Sequence, residues 1–228
     1  MRADTPRPGA FIDRLGDADR DALLRTGRPR HYRKGESIFI TGDTGGFVLL
    51  LSSGHVKVTA PAVTGTEAVL SLRGPGDLIG ELSALDEGPD RRVATVVALE
   101  PVVCRVVPAA DFRTVLHDHP GIALALLHML SERLRAADRR IVEFGAYDTV
   151  RRVARLLADL AGSAELSPEA TIPALPSGLT QDDLAGMVGA SRESVARALA
   201  TLRSLGLVST GRGRVDVLDL DGLRSFGG

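Results

Sequence analysis

The sequence predicts an α+β chain in three successive parts: a roll of short antiparallel strands, one long helix, and a small helical domain that ends in a β-hairpin. Three observations predict it. Between Tyr32 and Pro108, short apolar runs alternate with glycine-bearing turns. From Pro120 to about Ala146 the apolar spacing lengthens to that of a helix, with a single late glycine at Gly145. Beyond Gly178, two short helical patterns separated by Gly189 precede a Gly-Arg-Gly-Arg turn between β-rich runs. The expected domains are residues 1–119, 120–147 and 148–228. A chain of 228 residues, 44% hydrophobic and 25% charged, has the composition of a globular protein with room for two small domains.

The apolar runs of the first part are Ser37 to Ile40, Phe47 to Leu51, Val56 to Val58, Val69 to Leu72, Val93 to Ala98 and Val102 to Val107. The breaks carry turn chemistry: Gly42-Asp43, Gly45-Gly46, Ser53-Gly54, Gly74-Pro75-Gly76-Asp77 and Glu87-Gly88-Pro89. Many short strands at near-regular spacing predict a roll or barrel of the double-stranded β-helix or jelly-roll kind.

The long helix would run roughly 40 Å at 1.5 Å per residue. Within it Ala123, Leu127, Leu130, Leu134, Ala137, Ile141 and Phe144 recur at alternating spacings of four and three, the a/d seam of a two-stranded coiled coil. Such a seam wants a partner helix. Ile122, Leu126 and Met129 widen the apolar face, so the same helix can also pack on the chain's own roll. Asp148 breaks the seam, which predicts a hinge near Tyr147 and Asp148. A second amphipathic helix follows through Val150, Val153, Ala154, Leu157 and Leu160, and the proline-bearing stretch Ala161 to Gly178 reads as a loop or short hairpin.

In the last part Thr180 is a helix N-cap, followed by Gln181 and the acidic first-turn residues Asp182 and Asp183, and the helix stops at Gly189. Ser191 caps a second helix with Val195, Leu199, Leu202 and Leu205 on one face and Arg192, Glu193, Ala196 and Arg197 on the other. Forked guanidinium donors suit guanine O6 and N7, and a carboxylate suits cytosine N4, so this set reads as a major-groove reader. Taken alone, the same charges fit a solvated helix face with an internal ion pair; the turn geometry favours DNA. Leu207 to Thr210 and Val215 to Leu218 flank a turn carrying Arg212 and Arg214, a wing suited to phosphate contact. The expected domain is a winged helix-turn-helix on duplex DNA.

Taken in combination, three motifs carry a family resemblance over about Leu23 to Leu223. They are Gly42-Asp43 through Leu49 to Ser53-Gly54-His55-Val56-Lys57-Val58; Gly74-Pro75-Gly76-Asp77-Leu78-Ile79-Gly80-Glu81-Leu82-Ser83 with Arg91-Arg92-Val93-Ala94-Thr95; and Gly189-Ala190-Ser191-Arg192-Glu193-Ser194-Val195-Ala196-Arg197. The sequence resembles the cyclic-AMP receptor protein and FNR superfamily of bacterial transcription regulators. The resemblance implies an N-terminal cyclic-nucleotide-binding β-roll, a dimerisation helix, a homodimer on a palindromic site, and RNA polymerase as a partner. It assigns the effector to Glu81 for the ribose hydroxyl, Arg91 or Arg92 for the cyclic phosphate, and backbone N–H groups around Gly80 to Leu82, with Ser83 and Val93 beside them. On the DNA side it groups Thr180, Gln181 and Ser191 with Arg192, Glu193, Arg197, Arg212 and Arg214.

The sequence also departs from the cyclic-AMP pattern. A serine usually follows the phosphate arginine, and here Arg92 or Val93 stands there. The helix positions that meet adenine in relatives are Ala137 and Asp138. Losing two or three hydrogen bonds of about 1 kcal/mol each would weaken cyclic-AMP binding by roughly one to two orders of magnitude. Cyclic AMP is the leading effector; cyclic GMP or cyclic di-GMP is the alternative, because Asp138 can accept from guanine N1–H and N2–H₂. A roll that acts without ligand stands beside both.

Other classes fit less well. The single Cys104, in an apolar run, supplies neither a disulfide nor an iron–sulfur cluster within one chain and reads as a buried small hydrophobe. His31, His55, His117, His119 and His128 are scattered, which disfavours haem and the paired histidines of a metal barrel enzyme. No nucleophile elbow, P-loop or dinucleotide fingerprint is present. A nucleotide-binding scaffold acting on a protein partner would keep the roll but not need the arginines of the last domain. The net charge of −1 confines any nucleic-acid surface to a local cluster. With no apolar run of membrane-spanning length and no hydrophobic core in Met1 to Ala10, the sequence predicts a cytoplasmic protein without a membrane partner.

Overall fold

The computed structural model describes residues 9–61, 67–85, 91–162, 178–211 and 214–228. The described residues of 1–60 and 71–135 make one compact unit, and those of 61–70 and 136–228 make another.

The first unit opens with a 3-10 turn, Phe11–Arg14, and helix α1, Asp17–Arg25. Strands β1 (Arg28–Tyr32), β2 (Ser37–Phe39), β3 (Phe47–Ser53), β4 (Val56–Pro61), β5 (Glu67–Arg73) and β6 (Leu78–Ile79) follow along the chain, with Pro61 and Glu67 to Leu70 counted in the second unit. Then come helix α2 (Glu81–Leu85), β7 (Thr95–Ala98), β8 (Val102–Pro108) and α3 (Ala109–Asp118). The strands form two four-stranded sheets, ordered β1-β8-β3-β6 and β2-β7-β4-β5. Each expected apolar run is a strand within two or three residues at its ends.

Strand β3 shows why its sequence is a run rather than an alternation. Successive side chains of a strand point to opposite faces. Val48 and Leu50 enter the core shared with Phe11, Leu23, Phe112, Ile122 and Met129, while Leu49 and Leu51 enter the interior of the roll with Val56, Val96 and Cys104. Both faces are covered, so both must be apolar.

Helix α4 runs Pro120–Ala146, as the spacing predicts. Its two apolar faces part ways. Ile122, Ala125, Leu126 and Met129 are buried in the first unit's core, whereas Leu124, Leu127, Leu134, Ile141 and Val142 lie 56–69% exposed.

The second unit contains α5 (Thr149–Gly162), α6 (Gln181–Val188), α7 (Arg192–Ser204), strands β9 (Val208–Gly211) and β10 (Arg214–Val217), and α8 (Leu220–Gly227). Its core joins Val153, Ala154 and Leu157 of α5 to Leu184, Val195, Leu199, Leu202 and Leu223. Leu205, expected on that apolar face, is 53% exposed because it sits at the helix C-cap, where the chain turns at Gly206 with φ +73°. The linker from 163 to 177, the Glu87-Gly88-Pro89 turn and the wing-tip pair Arg212 and Gly213 lie outside the described residues, while Ala161 and Gly162 close α5 rather than opening a loop.

Candidate functional site

The cassette region is built from the end of β6, helix α2 and the strand entry at 91–95. Asp77 Oδ2 accepts from the Gly74 backbone N–H at 2.9 Å and fixes the Gly-Pro-Gly-Asp turn that feeds β6. Gly80 follows at φ +82°, and a Cβ there would stand 2.5 Å from Arg92 Nη1. Glycine is therefore required twice, by its backbone and by the guanidinium that occupies the space of a side chain.

The structure separates the two adjacent arginines. Arg91 is exposed, with Nη1 donating to the Gly42 carbonyl at 2.9 Å. Arg92 is 3% exposed. Its Nη1 donates to Ser83 Oγ at 2.9 Å and the Gly80 carbonyl at 3.2 Å, and its Nη2 donates to the Phe47 carbonyl at 2.8 Å. The guanidinium carbon also lies 4.2 Å from the ring centre of Phe39 and 4.5 Å from that of Phe47. Of the two adjacent arginines, only the second turns inward.

Glu81, at the start of α2, is 4% exposed, and its Oε1 accepts from Arg133 Nη1 of α4 at 2.5 Å. Arg133 Nη2 also donates to the Leu78 carbonyl at 2.8 Å. Of the other expected effector residues, Gly80 and Ser83 join this cluster, Leu82 and Val93 are 46% and 62% exposed, and Ala137 and Asp138 are exposed on α4 in the second unit. Arg133, Phe39 and Phe47 were missed by sequence reasoning. A signal for Arg133 existed: Ile122, Leu126, Met129 and Arg133 fall at steps of four, three and four, so the arginine ends the inward-facing stripe. Nothing in the spacing singled out the two phenylalanines from other strand hydrophobes.

The helix pair of the second unit is fixed by its caps. Thr180 and Asp183 form a reciprocal capping box, Thr180 Oγ1 accepting from Asp183 N–H at 3.1 Å and Asp183 Oδ2 from Thr180 N–H at 2.9 Å. Gly189 adopts φ +61° at the turn, and Ser191 Oγ accepts from Ser194 N–H at 3.2 Å to start α7. This leaves Thr180, Gln181, Ser191, Arg192, Glu193 and Arg197 exposed at or near the two helix starts, above the buried Val195, Ala198 and Leu199. Arg192 Nη1 lies 3.5 Å from Asp182 Oδ2, and Arg197 Nη2 donates to Ser194 Oγ at 3.1 Å. The backbone N–H and the Ser191 hydroxyl hold the Glu193 carboxyl below the usual carboxylate range, so it is an acceptor at neutral pH. In the wing, β9 and β10 pair antiparallel, and Arg214 is exposed with Nε 2.5 Å from Asp216 Oδ1. Arg212 lies outside the described residues.

Among the described residues, no group of three or more His, Cys, Asp or Glu could hold a metal ion. No helix there is long and apolar enough to cross a membrane.

A two-sheet roll with a buried arginine and glutamate at its glycine cassette, followed by a long helix and a winged helix-turn-helix, defines a DNA-binding transcription regulator of the effector-roll class. Comparison with known proteins agrees. Residues 29–119 match the cyclic nucleotide-binding domain, and residues 151–226 match the Crp-like helix-turn-helix domain. The chain is 33% identical over 187 residues to a CRP-like cAMP-activated global transcriptional regulator of Mycobacterium tuberculosis, covering 82% of each. It is 34% identical over 203 residues to the cyclic AMP receptor protein of Thermus thermophilus, covering 89% of each. Among solved structures, FixK2 from Bradyrhizobium japonicum shares the fold with a TM-score of 0.76 at 22% identity, over 89% of this chain and 98% of that one. The chain belongs to the cyclic-AMP receptor protein and FNR family of transcription regulators, and its domains and relatives are those of a regulator, not of an enzyme.

Proposed function

We propose that the chain works as a homodimer on a palindromic DNA site, with a cyclic nucleotide, cyclic AMP foremost, held at Glu81 and Arg92 and shifting the population of DNA-competent dimers. The observation that carries the effector assignment is the buried Arg92 guanidinium at Gly80 and Ser83, beside the buried Glu81 carboxylate. One group grips phosphate oxygens in charge-assisted bonds, and the other accepts sugar hydroxyls. The relatives named for cyclic AMP at 33–34% identity support the same ligand. The exposed seam Leu127, Leu134 and Ile141 supports the dimer, since a soluble helix rarely leaves an apolar stripe of this length uncovered. Arg192, Glu193 and Arg197 would read bases; Arg214, with Arg212, would hold phosphates. The domain limits 119/120 and 147/148 belong to the same reading, as does RNA polymerase as the partner that gives bound dimers their effect.

A second reading, regulation without a ligand, has its own observation. Glu81 is already paired with Arg133, and Arg92 already donates to three internal acceptors. Calorimetric titration of the purified protein with cyclic AMP, cyclic GMP and cyclic di-GMP separates the two. The proposal expects saturable 1:1 binding of cyclic AMP, at least tenfold weaker in Arg92→Ala and little changed in Arg91→Ala, with ligand-free DNA affinity kept in both. No heat from any of the three nucleotides would select the ligand-free reading.

A further inference from the structure

We infer that Phe39 and Phe47 are positioning residues of the anion site, their rings forming a corner that clasps the Arg92 guanidinium and fixes the direction in which it offers its charge to a phosphate-bearing ligand. The inference rests on the effector reading above for its ligand, but not for its geometry.

The two rings come from different strands, β2 and β3. Their centres are 6.3 Å apart and their planes meet at 71°, an edge-to-face pair. Arg92 fills the angle between them at 4.2 Å and 4.5 Å, inside the roughly 6 Å reach at which a cation feels a ring's negative face. The clasp is tied by backbone as well. Gly42 N–H donates to the Arg92 carbonyl at 2.8 Å, Arg92 N–H donates to the Asp43 carbonyl at 2.9 Å, and the Phe47 carbonyl accepts from Arg92 Nη2. The connection between β2 and β3 thus holds the arginine's own backbone, and the two rings stand at either end of that connection.

A guanidinium has several rotatable bonds, and an anion site works only if its fork is already aimed when the anion arrives. Gly80 leaves the space, Ser83 and two carbonyls set the hydrogen-bond directions, and the rings block the sideways rotations while compensating part of the lost hydration. Leucine at either ring position would keep apolar bulk and remove the π face. Phe39 belongs to the buried core of the roll and Phe47 packs against it, so the ring-keeping Phe47→Tyr variant and the Arg92→Ala background are what separate the clasp from packing.

The test is a double-mutant cycle on the full chain, with cyclic AMP as probe and calorimetry as readout. Phe47→Leu should weaken binding about tenfold, Phe39→Leu similarly, and Phe47→Tyr, which keeps the ring, should restore it. In an Arg92→Ala background, Phe47→Leu should cost nothing more, because its effect passes through the arginine. An equal further loss in that background, or an unchanged affinity in the single variants, overturns the proposal. If the native chain binds none of the cyclic nucleotides, the effector reading falls and the clasp is judged by the Arg92 Nε–Hε resonance. A ring-current upfield shift lost in Phe47→Leu upholds the positioning, and a resonance unmoved by that substitution overturns it.

Discussion

Arg133 on the long helix α4 holds the Glu81 carboxylate of the cassette helix α2, Nη1 to Oε1 at 2.5 Å. The pair links the residue proposed for a sugar hydroxyl with the helix that carries the exposed seam Leu127, Leu134 and Ile141. A ligand at Glu81 must share or displace that guanidinium, so occupancy would be felt by α4 without a relay of intermediate residues. Breaking one side of a buried pair is costly because the other charge stays behind. Arg133→Ala should destabilise the chain by about 2–4 kcal/mol, and Glu81→Gln added to it should recover much of that loss. Urea denaturation of the single and double variants measures both; a single variant as stable as the parent would show that the pair carries no weight.

The two faces of α4 predict opposite phenotypes. Leu134→Glu, on the exposed seam, should convert the dimer to a folded monomer, seen by sedimentation velocity with an unchanged circular dichroism spectrum. Leu126→Ala, in the buried face, should cost about 2–5 kcal/mol of stability and leave the assembly state alone. A Leu134→Glu protein that stays dimeric would place the interface elsewhere.

The recognition helix and the wing should fail differently on DNA. Arg192→Ala should cost about 1–3 kcal/mol at one cognate guanine and relax the sequence preference there. Arg214→Ala should weaken all sequences alike and reduce the salt slope by about one phosphate's worth, roughly 0.9. Site selection followed by anisotropy at several salt concentrations distinguishes them, and an unaltered preference in Arg192→Ala would remove that residue from base reading.

Burial in the roll interior pushes the Cys104 thiol up to about 11. In the unfolded chain the thiol ionises near its ordinary value of about 8.5. Between these two values the unfolded state has lost a proton that the folded state keeps, so stability is full below about pH 8.5 and falls as pH rises, by at most about 1.4 kcal/mol per unit. A maleimide at pH 8 should therefore label Cys104 only in denaturant. Rapid labelling of the folded chain would contradict the burial.

Much of this architecture was legible because the signals were periodic. The buried face of β3 on both sides, the 27-residue α4 and the caps at Thr180 and Ser191 each follow from spacing or from one residue's local hydrogen bond. Strand β1, Arg28–Tyr32, was not legible: it is an edge strand, mostly exposed, whose polar Arg-Pro-Arg-His sequence has no apolar alternation, and its strand geometry comes from pairing with β8. Two-residue β6 is too short to show a period, and α8 at the chain's end carries only one deeply buried leucine, Leu223. At the site, Gly80, Glu81 and Ser83 were found through a motif. That Arg92 and not Arg91 turns inward needed three dimensions, because the direction of a side chain after a turn is not encoded in spacing, and the packing of Phe39 and Phe47 on Arg92 and the Arg133 pair were hidden because their partners lie far away in sequence.

The central claim is that two copies joined along α4 present paired recognition helices to one symmetric site under nucleotide control. Fluorescence anisotropy of a selected palindromic duplex, titrated with protein of known dimer content with and without saturating cyclic AMP, tests it most directly. The account predicts one dimer per duplex, loss of tight binding when either half-site is scrambled, and an affinity that changes at least tenfold with the nucleotide. Binding by a monomer, with equal affinity for the intact and half-scrambled duplex whether or not nucleotide is present, would contradict it.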